Sequence, residues 1–301
     1  MKILLIGSNG QLGREIIKRC PNNIDLITPT STELDLIKSK TCHEFILDMS
    51  PDWIINSGAY TNVEKAELDK ETAFKVNALG PKSLAKALAL TNGKLLHIST
   101  DYVFSGKQNF PYKIDQNTCP INSYGISKAK GEEYIQKLMP ENNQLCILRT
   151  SWLISPNGNN FATKMLKLLN SLDEIKVVYD QISSPTTTLS LANAIWEIIK
   201  KNEEYSLNKK IFPKINHFSN DGVASWYDLA VTIRELGIKH GFIKRKAKII
   251  PIESHEYHTN ALRPKYSVLD SIQTKTIINT DMIHWRYELI KAFEMNFSNK
   301  L

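Results

Sequence analysis

The chain opens on an apolar run at 2–7 (KILLIG) that breaks into the glycine-rich stretch GSNGQLG at 7–13. Four more short runs of branched and apolar residues follow at 24–28 (IDLIT), 52–56 (DWIIN), 94–99 (KLLHIS) and 145–150 (LCILRT). They are nearly continuous rather than alternating, as expected of strands covered on both faces. Between them, helical patterns span Gln11–Cys20, Lys40–Met49, Glu71–Leu90 and Ser123–Leu138. Strand and helix in strict alternation predict right-handed βαβ crossovers and an α/β fold, a Rossmann-like doubly wound parallel sheet.

The second half is less regular. The pattern predicts helices over Asn160–Leu169, Leu189–Lys201, Trp226–His240 and Met282–Phe297, with strands at IKVVYD (175–180) and AKIIPIE (247–253). Turns are expected at NGNN (157–160) and SSP (183–185). Residues 1–150 are expected to form a dinucleotide-binding domain. Residues 151–301 are expected to form mainly a smaller, C-terminal substrate-binding lobe, with segments returning to the sheet.

Composition narrows the class. Apolar residues make up 42% of the chain and charged residues 23%, as in an ordinary soluble globular protein. No run of about 18 apolar residues suggests a membrane span. The first apolar stretch is shorter than the roughly 7–15 residues of a signal-peptide core, so a cytoplasmic protein is expected. Cys20, Cys42, Cys119 and Cys146 show no C-x-x-C spacing, so neither a disulfide framework nor a zinc site is expected. The net charge of +7 has its densest cluster at Lys244–Lys248, without the interleaved aromatics of a nucleic-acid surface. That charge reads as solvated surface which also favours small phosphate-bearing ligands. His255 and His258 lack the H-E-x-x-H spacing of a zinc helix, so they read as a loop.

Gly7, Gly10 and Gly13 lie between the first strand and the first helix. Glycine there permits a tight turn, admits a pyrophosphate to the backbone, and lets the helix pack against the strand. The free N–H groups of the helix start then meet the anion. The second strand ends in ITPTST, with no acid before Glu33 to bind a ribose 2′-hydroxyl, and Arg14 follows the glycine loop. A guanidinium there suits a 2′-phosphate, so NADPH is expected, with NADH as the alternative.

Thr100 ends the fourth strand, and Tyr124 and Lys128 stand four apart on the following helix, on one face. At these residues the chain resembles the extended short-chain dehydrogenase/reductase superfamily, with its Ser/Thr, Tyr and Lys set in Y-x-x-x-K spacing. Within it the chain resembles the dTDP-4-dehydrorhamnose reductase family. GSNGQLG, INSGAYTNVEKAE, STDYVFSG, NSYGISKAKGE, LRTSW, GNNFATKML, DQISSPT and LRP carry that likeness, in order along nearly the whole chain.

The resemblance implies a reductase of a nucleotide-linked 4-keto-6-deoxy sugar, with dTDP-4-dehydro-L-rhamnose as substrate. In that chemistry Tyr124 delivers a proton to the developing alkoxide, and Lys128 lowers the phenol's pKa and holds the nicotinamide ribose. Thr100 orients the carbonyl. Cofactor contacts are implied at Gly7, Gly10, Gln11, Leu12, Gly13 and Arg14, at Asp35 and Leu36 beside the adenine, and at Ala59, Tyr60, Thr61, Ile98, Tyr124 and Lys128. Asn56–Thr61 is the stretch expected along the ribose and pyrophosphate. Substrate contacts are implied at Thr100, Asp101, Trp152, Asn160 and Arg263, the last as a diphosphate clamp; Gln181 also matches a family position.

Some relatives bind magnesium at a dimer interface. Glu15 matches one such position but Leu189 replaces another, so no metal is expected, and both a monomer and a homodimer stay open. The competing readings are a non-catalytic NADP-binding subunit, resembling the regulatory subunit of methionine adenosyltransferase, and a reductase of a different nucleotide sugar.

Overall fold

The computed structural model describes residues 1–156, 158–245 and 247–296. Asn157 of the NGNN turn, Lys246 of the basic cluster and Phe297 of the last expected helix lie outside the described residues.

In chain order the first half forms β1 (Lys2–Ile6), α1 (Gln11–Lys18), β2 (Asp25–Ile27), α2 (Ser39–Met49), β3 (Trp53–Asn56), α3 (Val63–Leu68), α4 (Lys70–Phe74), a π-helical turn (Lys75–Leu79), α5 (Gly80–Thr91), β4 (Lys94–Thr100), α6 (Ser123–Leu138) and β5 (Leu145–Thr150). The second half adds β6 (Leu153–Ile154), α7 (Phe161–Ser171), β7 (Glu174–Val178), β8 (Ile182–Ser183), β9 (Thr186–Thr187), α8 (Thr188–Leu207), β10 (Ile215–His217), β11 (Ala224–Ser225), α9 (Trp226–Lys239), β12 (Lys248–Ile252), α10 (Ile272–Ile278) and α11 (Trp285–Asn296).

Six strands make one parallel sheet in the order β2-β1-β3-β4-β5-β10. The chain turns outward from β1 in both directions, so the switch in strand order lies between β1 and β3. Ligands bind at the carboxyl ends of such sheets, at that switch.

The near-continuous apolar runs resolve into two faces with the period of two that a pleat imposes. Ile3 and Leu5 of β1, Trp53 and Ile55 of β3, and Cys146 and Leu148 of β5 pack with α1 and α8. Leu4, Ile6, Ile54, Leu145 and Ile147 pack on the other face with α2, α5 and α6. The second half therefore supplies a covering helix, α8, whose Trp196 donates its indole N–H to the carbonyl of Ile16 at 3.2 Å. It also supplies the edge strand β10, three residues too short for periodicity to mark.

A separate apolar cluster joins α7, β7, α9 and α11, and β7 pairs with β12 in parallel. Capping boxes at Asn160/Thr163 and Ser225/Asp228 start α7 and α9.

The single helix expected over Glu71–Leu90 is present as a continuous helical run through α4, the π turn and α5. Pro81 cannot donate to the carbonyl of Asn77, and its ring crowds that position. The backbone answers with a π turn, in which the N–H of Gly80 reaches back to Lys75. The extra residue places the Asn77 side chain toward the loop after β3, where it accepts from the Tyr60 N–H at 2.8 Å and donates to the Tyr60 carbonyl at 3.1 Å. Among the described residues no helix is long and apolar enough to cross a membrane.

Candidate active site

A cavity of about 760 Å³ opens at the carboxyl ends of β1, β3, β4 and β5. The glycine loop forms one wall. Gly7 has φ +83°, and a Cβ there would stand 2.7 Å from the backbone nitrogen of Gly58, so only glycine lets the β1 and β3 loops meet. The first turn of α1 holds no acidic residue and its N-cap, Gly10, offers no side-chain bond, leaving the helix start available to an anion. These features fit a dinucleotide pyrophosphate. Gln11 joins the loop to the second half: it donates to the carbonyl of Asn159 at 3.1 Å and accepts from the Asn160 amide at 2.8 Å.

Helix α6 carries the opposite wall. Asn122 caps it by accepting from the Gly125 N–H at 2.8 Å, and its own amide donates to the carbonyl of Leu262. A Cβ at Gly125 would lie 2.2 Å from the carbonyl of Tyr102, so the missing side chain lets the first turn press onto the end of β4. That close approach brings the Tyr124 phenol beside Thr100, whose hydroxyl favours the phenolate. Thr100 Oγ1 also donates to Asp101 Oδ1 at 3.0 Å and accepts from the Tyr102 N–H at 3.2 Å.

Lys128 is buried. Its Nζ donates to the carbonyl of Ile98 at 2.6 Å and lies 3.2 Å from His97 Nε2. Burial lowers its pKa to about 8, opposed by the nearby Glu132 carboxylate. Burial raises the Tyr124 phenol to about 12, with the Thr100 hydroxyl pulling downward and the Asp101 charge upward. Here burial, rather than the lysine, is the largest influence on the phenol. The lysine nitrogen is engaged with Ile98 and His97.

The cavity gathers most of the expected residues: Gly7, Gly10, Gln11, Leu12, Gly13, Arg14, Ala59, Thr61, Ile98, Thr100, Asp101, Tyr124, Lys128, Trp152 and Asn160. Four others stand elsewhere. Leu36 is buried against Gly58 and Gly80, and Asp35 Oδ1 accepts from the Ile37 N–H. Tyr60 is held by its backbone to Asn77. Arg263 pairs with Glu64 at 2.5 Å and lines a second cavity of about 570 Å³ with Lys107 and Lys265. Asp101, expected to touch substrate, is almost wholly buried and accepts from three hydroxyls, those of Thr100, Ser183 and Ser267. Its pKa rises to about 6 because burial outweighs those bonds.

Sequence reasoning missed the aromatic wall built around Trp152. Trp226 stacks on Trp152 with centroids 3.5 Å apart and planes 9° apart, and Phe161 tilts against Trp226 at 4.7 Å. All three line the cavity. The Trp226 indole donates to Gln181 Oε1 at 3.1 Å, which gives Gln181 a structural task. Trp226 opens α9 inside the Ser225/Asp228 capping box, and that signal marks a helix start rather than a site.

Glu15, at the cavity's edge, pairs with Arg19 at 2.8 Å, and outside the cavity His255 pairs with Glu253 at 3.2 Å. Among the described residues no group of three or more His, Cys, Asp or Glu is placed to hold a metal ion. Arg245 of the basic cluster is paired with Asp173.

The parallel sheet, the glycine loop at its switch point and the Thr–Tyr–Lys set on β4 and α6 define an extended short-chain dehydrogenase/reductase. Residues 1–296 match the family model described as the RmlD substrate binding domain. A dTDP-4-dehydrorhamnose reductase of Aggregatibacter actinomycetemcomitans is 33% identical over 296 residues, covering 97% of this chain and 99% of that protein. Among solved structures, a dTDP-4-dehydrorhamnose reductase of Clostridium acetobutylicum superposes with a TM-score of 0.88 at 35% identity, over 98% of this chain and 99% of that one. The Bacillus anthracis dTDP-4-dehydrorhamnose reductase, solved in complex with NADP, gives 0.86 at 31% identity over 99% of each chain. The chain belongs to the dTDP-4-dehydrorhamnose reductase family.

Proposed function

We propose that the chain reduces the C4 ketone of dTDP-4-dehydro-L-rhamnose to dTDP-L-rhamnose with NADPH, in the synthesis of a cell-surface polysaccharide. One observation carries the reading: Thr100, Tyr124 and Lys128 converge in the cavity that the glycine loop opens. The names of the relatives and the NADP complex of one of them support the substrate and the cofactor.

The nicotinamide supplies hydride when bound; the chain supplies everything else. Tyr124, beside Thr100, is the proton donor to the alkoxide. Thr100 orients the carbonyl, and Lys128 fixes the ribose and offsets the charge of the phenolate. Gly7, Gly10, Gln11, Leu12, Gly13, Arg14, Ala59, Thr61 and Ile98 line the cofactor's side of the cavity, and Trp152 with Asn160 the sugar nucleotide's. Arg14 is exposed at the rim, where it suits a 2′-phosphate. In this reading residues 1–150 bind the cofactor, and 151–301 mainly bind substrate. All four cysteines are free, as suits a cytoplasmic enzyme.

The test is loss of NADPH absorbance on adding the keto sugar nucleotide, with the product's C4 configuration read by NMR. Turnover with another 4-keto sugar alone would reassign the substrate. Absence of turnover with every keto sugar, together with a synthetase partner in a pull-down, would favour the regulatory-subunit reading.

A further inference from the structure

A buried row of side chains runs behind Lys128, away from anything the reaction needs as a reagent. Asn56 at the end of β3 and His97 in β4 are both wholly buried. Asn56 Oδ1 accepts from the Gly58 N–H at 3.2 Å, and the amide nitrogen faces His97 Nδ1 at 3.0 Å. His97 Nε2 in turn faces Lys128 Nζ at 3.2 Å.

The direction of these bonds is fixed from one end. A backbone N–H can only donate, so the Asn56 atom facing Gly58 is the oxygen, and the atom facing His97 is the NH₂ donor. His97 Nδ1 must then be the acceptor. A neutral imidazole carries its one proton on the other nitrogen, which here is Nε2, aimed at Lys128. An ammonium has no lone pair to receive that proton, whereas a neutral amine has one. Either form of Lys128 donates to the Ile98 carbonyl.

We infer that His97, set by Asn56 with its proton on Nε2, is a positioning residue for Lys128 that favours the lysine's neutral amine in the resting protein. The surroundings agree. Burial alone pulls His97 below its usual pKa, so it stays neutral. Burial brings Lys128 down to about 8. The other ionisable groups around the lysine are Tyr124 and Glu132 on its own helix, Asp101 at the end of β4, and Arg149 of β5. Glu132 favours the ammonium, but Arg149 binds both of its oxygens, at 3.0 and 2.6 Å. Arg149 also lies 3.3 Å from His217 of β10, a histidine held neutral by burial and by that guanidinium. The Glu132 carboxylate is thus engaged by Arg149, and His97 presents a donor to the lysine nitrogen.

The inference rests on the reductase reading for its catalytic consequence alone. In that reading the ammonium is the active form, because it offsets the phenolate left by Tyr124. Activity then falls as pH rises through the lysine's pKa, and His97 sets where that fall occurs.

Two readouts test it. Imidazole ¹⁵N NMR of the cofactor-free protein identifies the His97 tautomer by the signal absent from a His97→Gln variant. A pyrrole-type Nε2 is expected; a pyrrole-type Nδ1 would overturn the inference whether or not the protein turns over. Asn56→Asp replaces the donor with an acceptor, which moves the proton to Nδ1 and opens Nε2 to the ammonium. Its alkaline limb of kcat/KM for the keto sugar is expected at least about one pH unit higher than that of the parent. Asn56→Leu, which adds no charge, moves the limb the same way. A limb that stays put in both variants refutes the inference, whereas an inactive parent counts against the reductase reading and leaves the NMR result to decide this one.

Discussion

Lys128 and Tyr124 stand one turn apart on α6, yet their polar ends face different strand-end groups: the lysine binds the carbonyl of Ile98 at 2.6 Å, and the phenol lies beside Thr100, whose hydroxyl pulls its pKa down. The two are coupled through β4, which carries both partners. Removing the phenol oxygen should therefore leave the lysine in place. Tyr124→Phe keeps the ring, which packs edge-on to Tyr102 at 5.9 Å. We expect turnover to fall roughly 10²–10⁴-fold with NADPH affinity nearly unchanged, measured by steady-state kinetics and fluorescence titration. Near-normal turnover would remove Tyr124 from the chemistry.

Asp101 gives a pH dependence of known sign. Its folded-state pKa of about 6 lies above the ordinary 3.8, so folding favours its protonated form. The contribution is full below pH 4 and is lost as pH rises through 6. The span is about 3 kcal/mol at most. Asp101→Asn has no such titration, so its urea-unfolding free energy should gain on the parent's between pH 4 and 7. A constant difference between the two proteins across that range would contradict the assignment.

The ion pair of Arg149 with Glu132, buried on both sides, should be costly to break singly. Arg149→Met leaves a carboxylate in the interior and is expected to destabilise by about 3–5 kcal/mol. Adding Glu132→Leu removes the stranded charge and should recover much of that loss in chemical denaturation.

The stacked pair of Trp152 and Trp226 separates binding of the two ligands. Trp226→Leu removes a stacking partner worth about 0.5–1.5 kcal/mol. The KM for the nucleotide sugar should rise up to about tenfold, while the Kd for NADPH, measured by fluorescence titration, stays put. An equal change in both would place the tryptophan pair outside the sugar-nucleotide side.

Gly13 tests the cofactor wall. A Cβ there would stand 2.2 Å from the carbonyl of Gly7, a backbone atom that cannot step aside. Gly13→Ala should displace the start of α1, at a stability cost of about 1–3 kcal/mol, and weaken NADPH binding at least about tenfold by titration.

The sequence by itself determined the first five strands, the helices between them other than α3, and the chemical pair on α6. These depend on local pattern: apolar runs for strands covered twice, a glycine loop at residue 7, and a spacing of four that puts Tyr124 and Lys128 on one face. The tertiary structure alone decided what has no local signature. It added β10 to the sheet edge, because a three-residue strand is defined by its neighbour β5. It set a π turn into the long helix ahead of Pro81 and so aimed Asn77 at the β3 loop. It drew Asp101 in among Ser183 and Ser267, from segments more than eighty residues away, and it laid Trp226 against Trp152. Burial, too, is a property of the packed chain. The same phenol and amine that sequence pairs as a tuned couple are, once desolvated, pushed in opposite directions and held by different partners.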